Sequence, residues 1–206
     1  MGTSMRKGLQ AVVMAGAMGA ALALSAGQAH AATGVTANSA FININAAAGK
    51  ANQILINPSG SNITIIDNGD TVTAGAGCTQ LSANSVSCPA GTRTIILSAG
   101  DRNDTVILRA SLRATLSGDA GDDTLQTIDS GQRAVLTGGD GADTLIGGSG
   151  DDEISGGAGR DIMDGNAGND RLGAIDGVGG NDSSNGDTGN DVCPGDVGDQ
   201  EIGCES

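Results

Sequence analysis

Trp and Tyr are absent and Phe41 is the only aromatic residue, so the chain lacks the side chains on which compact cores usually lean for buried area. Histidine is equally scarce. His30 is the only one, and it falls in an N-terminal stretch that reads as a removable address. The rest of the chain has neither the usual general base nor the commonest transition-metal ligand, which leaves oxygen chemistry for any metal. Basic residues are few: 10 Lys and Arg face 24 Asp and Glu, a net charge of −14. A phosphate backbone would meet like charge, so nucleic acid is excluded as a partner. Beyond the first 31 residues no apolar run approaches the roughly 20 residues that a membrane span needs.

What is present begins with that address. Arg6 and Lys7 precede a small-apolar run from Gly8 to about Leu24, and Ala29-His30-Ala31 supplies an A-x-A cleavage pattern. Residues 1–31 are therefore expected to be a signal peptide, Ala32 the first mature residue and the protein secreted, an extracellular one. Without them eight basic residues remain against all 24 acidic ones, a net charge of −16. Four cysteines, an even number in an exported chain, favour disulfides over zinc. They occur as two local pairs, Cys78 with Cys88 and Cys193 with Cys204. Three connectivities are open, and the local one is preferred.

Acidic residues divide the chain. Only Asp67 and Asp70 precede residue 100, and the other 22 follow it. Residues 32–98 are rich in Asn, Thr, Ser and Ile, with short β-type runs such as AFININ (Ala40–Asn45), QILIN (Gln53–Asn57), NITIID (Asn62–Asp67) and TRTIILS (Thr92–Ser98). Gly, Pro, Asn or Asp bounds each one. Gly69 to Pro89 reads as a loop that a Cys78–Cys88 bridge would staple. No helical apolar period follows the address.

Residues 99–203 repeat in nines. GGDGADTLI (Gly138–Ile146), GGSGDDEIS (Gly147–Ser155), GGAGRDIMD (Gly156–Asp164) and GNAGNDRLG (Gly165–Gly173) run without a break. Ala174 to Asp176 interrupt them, and the pattern resumes at Gly177, Gly186 and Gly195. Upstream, GDAGDDTLQ (Gly118–Gln126) fits and AGDRNDTVI (Ala99–Ile107) fits loosely. Glycine holds the fourth position in all but the loosest unit. An apolar residue or cysteine holds the eighth, Ser184 excepted. A random Gly/Asp tract keeps no such phase.

These nonapeptides resemble the RTX, or hemolysin-type, calcium-binding repeat, G-G-x-G-x-D-x-U-x with U apolar. The resemblance covers about half the chain and implies an all-β parallel β-roll, or β-helix solenoid, over 99–203, with a short tail at 204–206. The N-terminal β segment, 32–98, would be a calcium-free continuation of the same solenoid. Six residues form a turn and three a strand, two nines make a coil, and loops recur every 18 residues. The resemblance implies Ca2+ as the cofactor, with the sixth-position aspartates as its carboxylate ligands: Asp123, Asp143, Asp152, Asp161, Asp170, Asp182 and Asp191. Asp104 is doubtful, because Arg102 stands where the family has glycine. Gln200 at the sixth position of the last unit would leave its site incomplete, and the insertion would disturb spacing beyond Asp170. Asp122, Asp140, Asp151 and Asp164 are expected to face solvent.

Three other readings compete. A calcium-stiffened structural or adhesive module would share the fold. An enzyme would need a catalytic domain, and residues 32–98 carry no His, no H-E-x-x-H and no G-x-S-x-G, so no catalysis is expected. A disordered acidic tract conflicts with the phased apolar positions.

Overall fold

The computed structural model describes residues 32–128 and 130–205, so the expected signal peptide lies outside the described residues. Among the described residues there are eighteen strands and no helix. Among the described residues no helix is long and apolar enough to cross a membrane. The N-terminal strands are β1 (Thr33–Ala37), β2 (Phe41–Asn45), β3 (Gln53–Ser59), β4 (Asn62–Asp67), β5 (Val72–Ala74), β6 (Thr79–Ser82), β7 (Ser85–Pro89) and β8 (Thr94–Ser98). The remainder are β9 (Thr105–Leu108), β10 (Ala114–Ala120), β11 (Thr124–Thr127), β12 (Ala134–Asp140), β13 (Thr144–Ile146), β14 (Glu153–Ala158), β15 (Ile162–Asp164), β16 (Arg171–Gly173), β17 (Ser183–Asn185) and β18 (Gln200–Ile202).

From β8 to β17 the chain alternates between two sheets, and every pairing there is parallel. One sheet has the order β16-β14-β12-β10-β8-β2-β1-β5, the other β18-β17-β15-β13-β11-β9-β3-β4-β7-β6. This is a parallel β-solenoid whose repeats form a β-roll. The repeat dictates it. A three-residue strand turns only its central side chain inward, so one apolar residue per nine lands in the core. Leu97, Leu116, Leu136, Ile154 and Leu172 stack in register on one sheet, facing Val106, Leu125, Leu145 and Met163 on the other. All nine are buried. Ser184 follows Met163 in its column, buried with an unpartnered hydroxyl, so the core thins toward the C-terminal end.

The N-terminal segment is part coil and part lid. β2 and β3 pair in parallel with β8 and β9 and so form a first coil. β1 runs antiparallel to β2, while β4, β7 and β6 continue antiparallel from β3. Reversing direction covers the outer edge of that coil, which would otherwise offer unpaired backbone groups. The residues expected to form a stapled loop after Gly69 supply β5, β6 and β7, and Cys78 is bonded to Cys88. A second disulfide joins Cys193 to Cys204.

Candidate metal centre

The six-residue turns place the acidic side chains along the two edges of the roll. In the nonapeptide turns other than 147–152 the backbone swings through positive φ, as at Gly141 (φ 141°), a conformation that L side chains rarely adopt. Arg102 occupies the same fourth position at φ 83°, so its loop keeps the turn without glycine.

Along one edge the sixth-position aspartates form a ladder in which each backbone N–H donates to the carboxylate one coil further on. Asp104 N donates to Asp123 Oδ1 (2.7 Å), Asp123 N to Asp143 Oδ1 (2.8 Å), Asp143 N to Asp161 Oδ1 (2.9 Å) and Asp161 N to Asp182 Oδ1 (2.8 Å). The other edge repeats the device with Ala134 N to Asp152 Oδ1 (2.7 Å), Asp152 N to Asp170 Oδ1 (2.7 Å) and Asp170 N to Asp191 Oδ1 (2.8 Å). One oxygen of each carboxylate is thereby spent on stitching coils together.

The second oxygen is not. Oδ2 of Asp104, Asp123, Asp143, Asp161, Asp170, Asp182 and Asp191 is buried with no hydrogen-bond partner. These residues are at most 3% exposed. A buried carboxylate oxygen facing no donor is costly unless a cation or a proton meets it. Asp152 differs: its Oδ2 accepts from Gly148 N (2.7 Å). At Asp123, Asp143, Asp161, Asp170 and Asp191, Oδ2 lies beside the first glycine of its own turn. A Cβ built on Gly138 would lie 2.1 Å from Asp143 Oδ2 and 2.4 Å from the Gly156 carbonyl oxygen. On Gly118 it would lie 2.3 Å from Asp123 Oδ2 and 2.7 Å from Gly138 O. The first glycine of the nonapeptide thus leaves room where a carboxylate of one coil and a carbonyl of the next converge.

Electrostatics point the same way. Burial pushes the carboxyls of Asp104 and Asp161 up to about 6 and those of Asp123 and Asp170 up to about 7. Burial also raises Asp143, Asp152 and Asp182. Hydrogen bonds from backbone N–H groups partly oppose the rise, and neighbouring carboxylates add to it. Without a cation these groups sit poorly as anions.

The seven sequence-derived aspartates all lie in the two ladders. Asp104, doubtful by sequence, takes its place in the first. The Ala174–Asp176 insertion does not break register, because Asp161–Asp182 and Asp170–Asp191 bonds span 21 residues with the same geometry as the 18-residue steps. Of the extra residues, Ala174 is buried and bridges Gly195, while Ile175 projects outward. The incomplete last unit is patched by Asp199, whose Oδ1 accepts from Asp182 N (3.3 Å), and on the other edge by Glu205, whose carboxylate accepts from Asp191 N. Asp122, Asp140 and Asp151 are exposed, and Asp164 is half-buried with Asn166 N and Asn185 Nδ2 donating to it. Sequence reasoning missed Asn52, which occupies the place before Asp104 in the first ladder: Asn52 N donates to Asp104 Oδ1 (2.6 Å).

Among the described residues no three His, Cys, Asp or Glu side chains converge on one point. The donor set is instead one carboxylate per loop joined by backbone carbonyls of adjoining coils, oxygen throughout. That set fits a hard cation with a tolerant shell, and calcium is the divalent ion that accepts it most readily. No curated protein and no solved structure gives a match to the chain. Residues 115–127 and 137–172 match the profile of the RTX calcium-binding nonapeptide repeat, in four copies, and they build the β-roll. The chain is therefore a carrier of RTX calcium-binding nonapeptide repeats.

Proposed function

We propose that this protein is a secreted calcium-binding protein without catalytic activity, whose repeats fold around Ca2+. One observation carries the reading: seven buried aspartate Oδ2 atoms without partners, each in a ladder along an edge of the roll. When bound, calcium supplies the positive charge that lets these carboxylates ionise in place. The chain's own residues do the rest. The Oδ1 atoms fix each side chain to the neighbouring coil, the first-position glycines hold carbonyls near Oδ2, and the eighth-position residues fill the core between the sheets. Calcium takes 6–8 oxygens at about 2.3–2.6 Å, whereas magnesium demands a tighter octahedron, so the ladders select calcium. The A-x-A-terminated leader and the two disulfides, Cys78–Cys88 and Cys193–Cys204, support an oxidising, extracellular location.

Binding is folding here. One apolar side chain per nine residues cannot offset backbone ordering of roughly 1–2 kcal/mol per residue, and the ladders add buried charge to that deficit. Chelator-treated protein is expected to lose the β signal of the roll beyond Gly118 in far-UV circular dichroism and to regain it cooperatively in millimolar calcium but not magnesium. A spectrum and a titration heat both indifferent to calcium would overturn the reading.

A further inference from the structure

The first junction of the roll is built differently from the others. Asn52 is fully buried, at the sixth position of the loop Ala47–Asn52, where later loops carry aspartate. Its Nδ2 lies 3.2 Å from the Ala47 carbonyl oxygen, 3.3 Å from that of Lys50, 3.3 Å from that of Ala99 and 3.1 Å from Asp104 Oδ1. Four oxygens from two successive coils thus surround one nitrogen, although an amide has only two hydrogens to give. Ala99 opens the next loop, as Gly138 does for the loop after Gly118–Asp123. In that later junction a Cβ built on Gly118 would meet both Asp123 Oδ2 (2.3 Å) and the Gly138 carbonyl oxygen (2.7 Å), so two acceptors converge on one place. At residue 52 the same place is held by a donor.

We propose that the Asn52 side-chain amide stands in for a cation, so that the first coil stacks on the second without any ion and gives the calcium-dependent coils a permanent end to stack on. Asn52 Oδ1 and Asp70 Oδ2 are buried without a hydrogen-bond partner, but the acids of this end face protein cations or donors. Asp67 is fully buried, yet its Oδ1 accepts from Gln53 N (3.0 Å), Gly69 N (2.9 Å) and Asp70 N (3.3 Å), and its Oδ2 accepts from Thr33 Oγ1 (2.6 Å). The Lys50 ammonium lies 3.9 Å from Asp70. Protein donors and a lysine answer the acids here, where the later coils leave Oδ2 bare.

Aspartate is isosteric with asparagine, and Asn52→Asp would turn the donor into a fifth oxygen around the same point, which is the composition of a cation cage. The proposal rests on calcium being the ion of the later coils, so the test measures both. Amide hydrogen exchange and calcium stoichiometry by equilibrium dialysis are read on the full protein, with and without chelator. In the unaltered protein, amides of β2, β3, β8 and β9 are expected to stay protected in chelator while those beyond Gly118 exchange. Asn52→Asp is expected to lose that chelator-resistant protection, recover it in calcium and bind one more ion per chain. Asn52→Ala is expected to lose the protection with no gain of calcium. Protection in chelator that survives Asn52→Ala, or Asn52→Asp with unchanged protection and stoichiometry, overturns the proposal. If Asn52→Asp does not fold even in calcium, Asn52→Ala alone decides. An unaltered protein that takes up no calcium would sink the functional reading, yet a chelator-resistant first coil that needs Asn52 would still stand.

Discussion

Each sixth-position aspartate serves two masters, and its two oxygens divide the work. Oδ1 takes a backbone N–H from the neighbouring coil, as Asp161 does from Asp143, and this bond needs no ion. At Asp123, Asp143, Asp161 and Asp170, Oδ2 lies beside the first glycine of its turn, and burial has lifted the carboxyl's pKa. A folded-state pKa above the ordinary 3.8 means that the folded chain holds protons more tightly than the unfolded one. In the absence of calcium that contribution is complete below pH 3.8 and is lost as pH rises through about 7, the value for Asp123 and Asp170. Chelator-treated protein is therefore expected to show more β structure at pH 5 than at pH 8 by circular dichroism. With calcium the sign reverses: the ion displaces protons, so its apparent affinity is expected to weaken several-fold from pH 8 to pH 5. An ion-free spectrum that is flat across this range would contradict the burial argument. At this scale the motif exposed Asp123, Asp143, Asp161 and Asp170 plainly. It could not expose Asn52, Asp199 or Glu205, because their membership of the ladders depends on what lies one coil away.

At the scale of the element, short strands are tolerated because turns and register do the fixing. β13, β15, β16 and β17 have three residues each, too few to specify a pairing by themselves. The loop stitching supplies what they lack, and it does so whether the coil step is 18 or 21 residues. The first glycine of the turn is the sensitive point. Gly138→Ala would drive a methyl carbon into Asp143 Oδ2 and the Gly156 carbonyl, whereas at Gly173 the nearest atom to a built Cβ is Ile154 O at 3.7 Å. Gly138→Ala is expected to cost about one bound calcium per chain and about 2–3 kcal/mol of stability in calcium. Gly173→Ala should leave both nearly unchanged. Calorimetric stoichiometry and thermal melts in calcium separate the two, and equal behaviour would show that the cradle is not a binding place. The alternation of U-position residues had fixed which side chains face inward. The insertion at Ala174–Asp176 was misleading in sequence, because counting along the chain cannot tell a register shift from extra residues taken up between coils, as Ala174 is by bridging Gly195.

For the whole molecule the question is how a solenoid with a thin core ends. At the N-terminal end antiparallel strands, a disulfide and an ion-independent polar network close the first coil. At the C-terminal end the core has already lost an apolar residue at Ser184, and all three residues of β18 are exposed. Closure there falls to the Cys193–Cys204 bridge, which keeps the tail against the last coil so that Glu205 N donates to Asp191 O (2.6 Å) and the Glu205 carboxylate answers Asp191 N. Closing a loop of 11 residues contributes about 2–3 kcal/mol in the chain-entropy account. Replacing both cysteines by serine is expected to release protection around Asp191 in hydrogen exchange and to weaken one calcium site. Coils from Gly118 to Asp170 should keep theirs. Loss of protection along the entire roll would mean instead that the bridge governs the whole fold.

Sequence by itself determined the repeat, the inward apolar residue of each strand, the glycines that turn the chain and the aspartates that ring it. Those are local properties, set by φ/ψ preference and a nine-residue period. Only the tertiary structure decided which oxygens are left bare, that the lid reverses strand direction, and that Asn52, Asp199 and Glu205 close the ladders. Such facts arise between coils, where residues 14 to 52 apart in the chain meet, and no local pattern records the chemistry of a neighbour that far away.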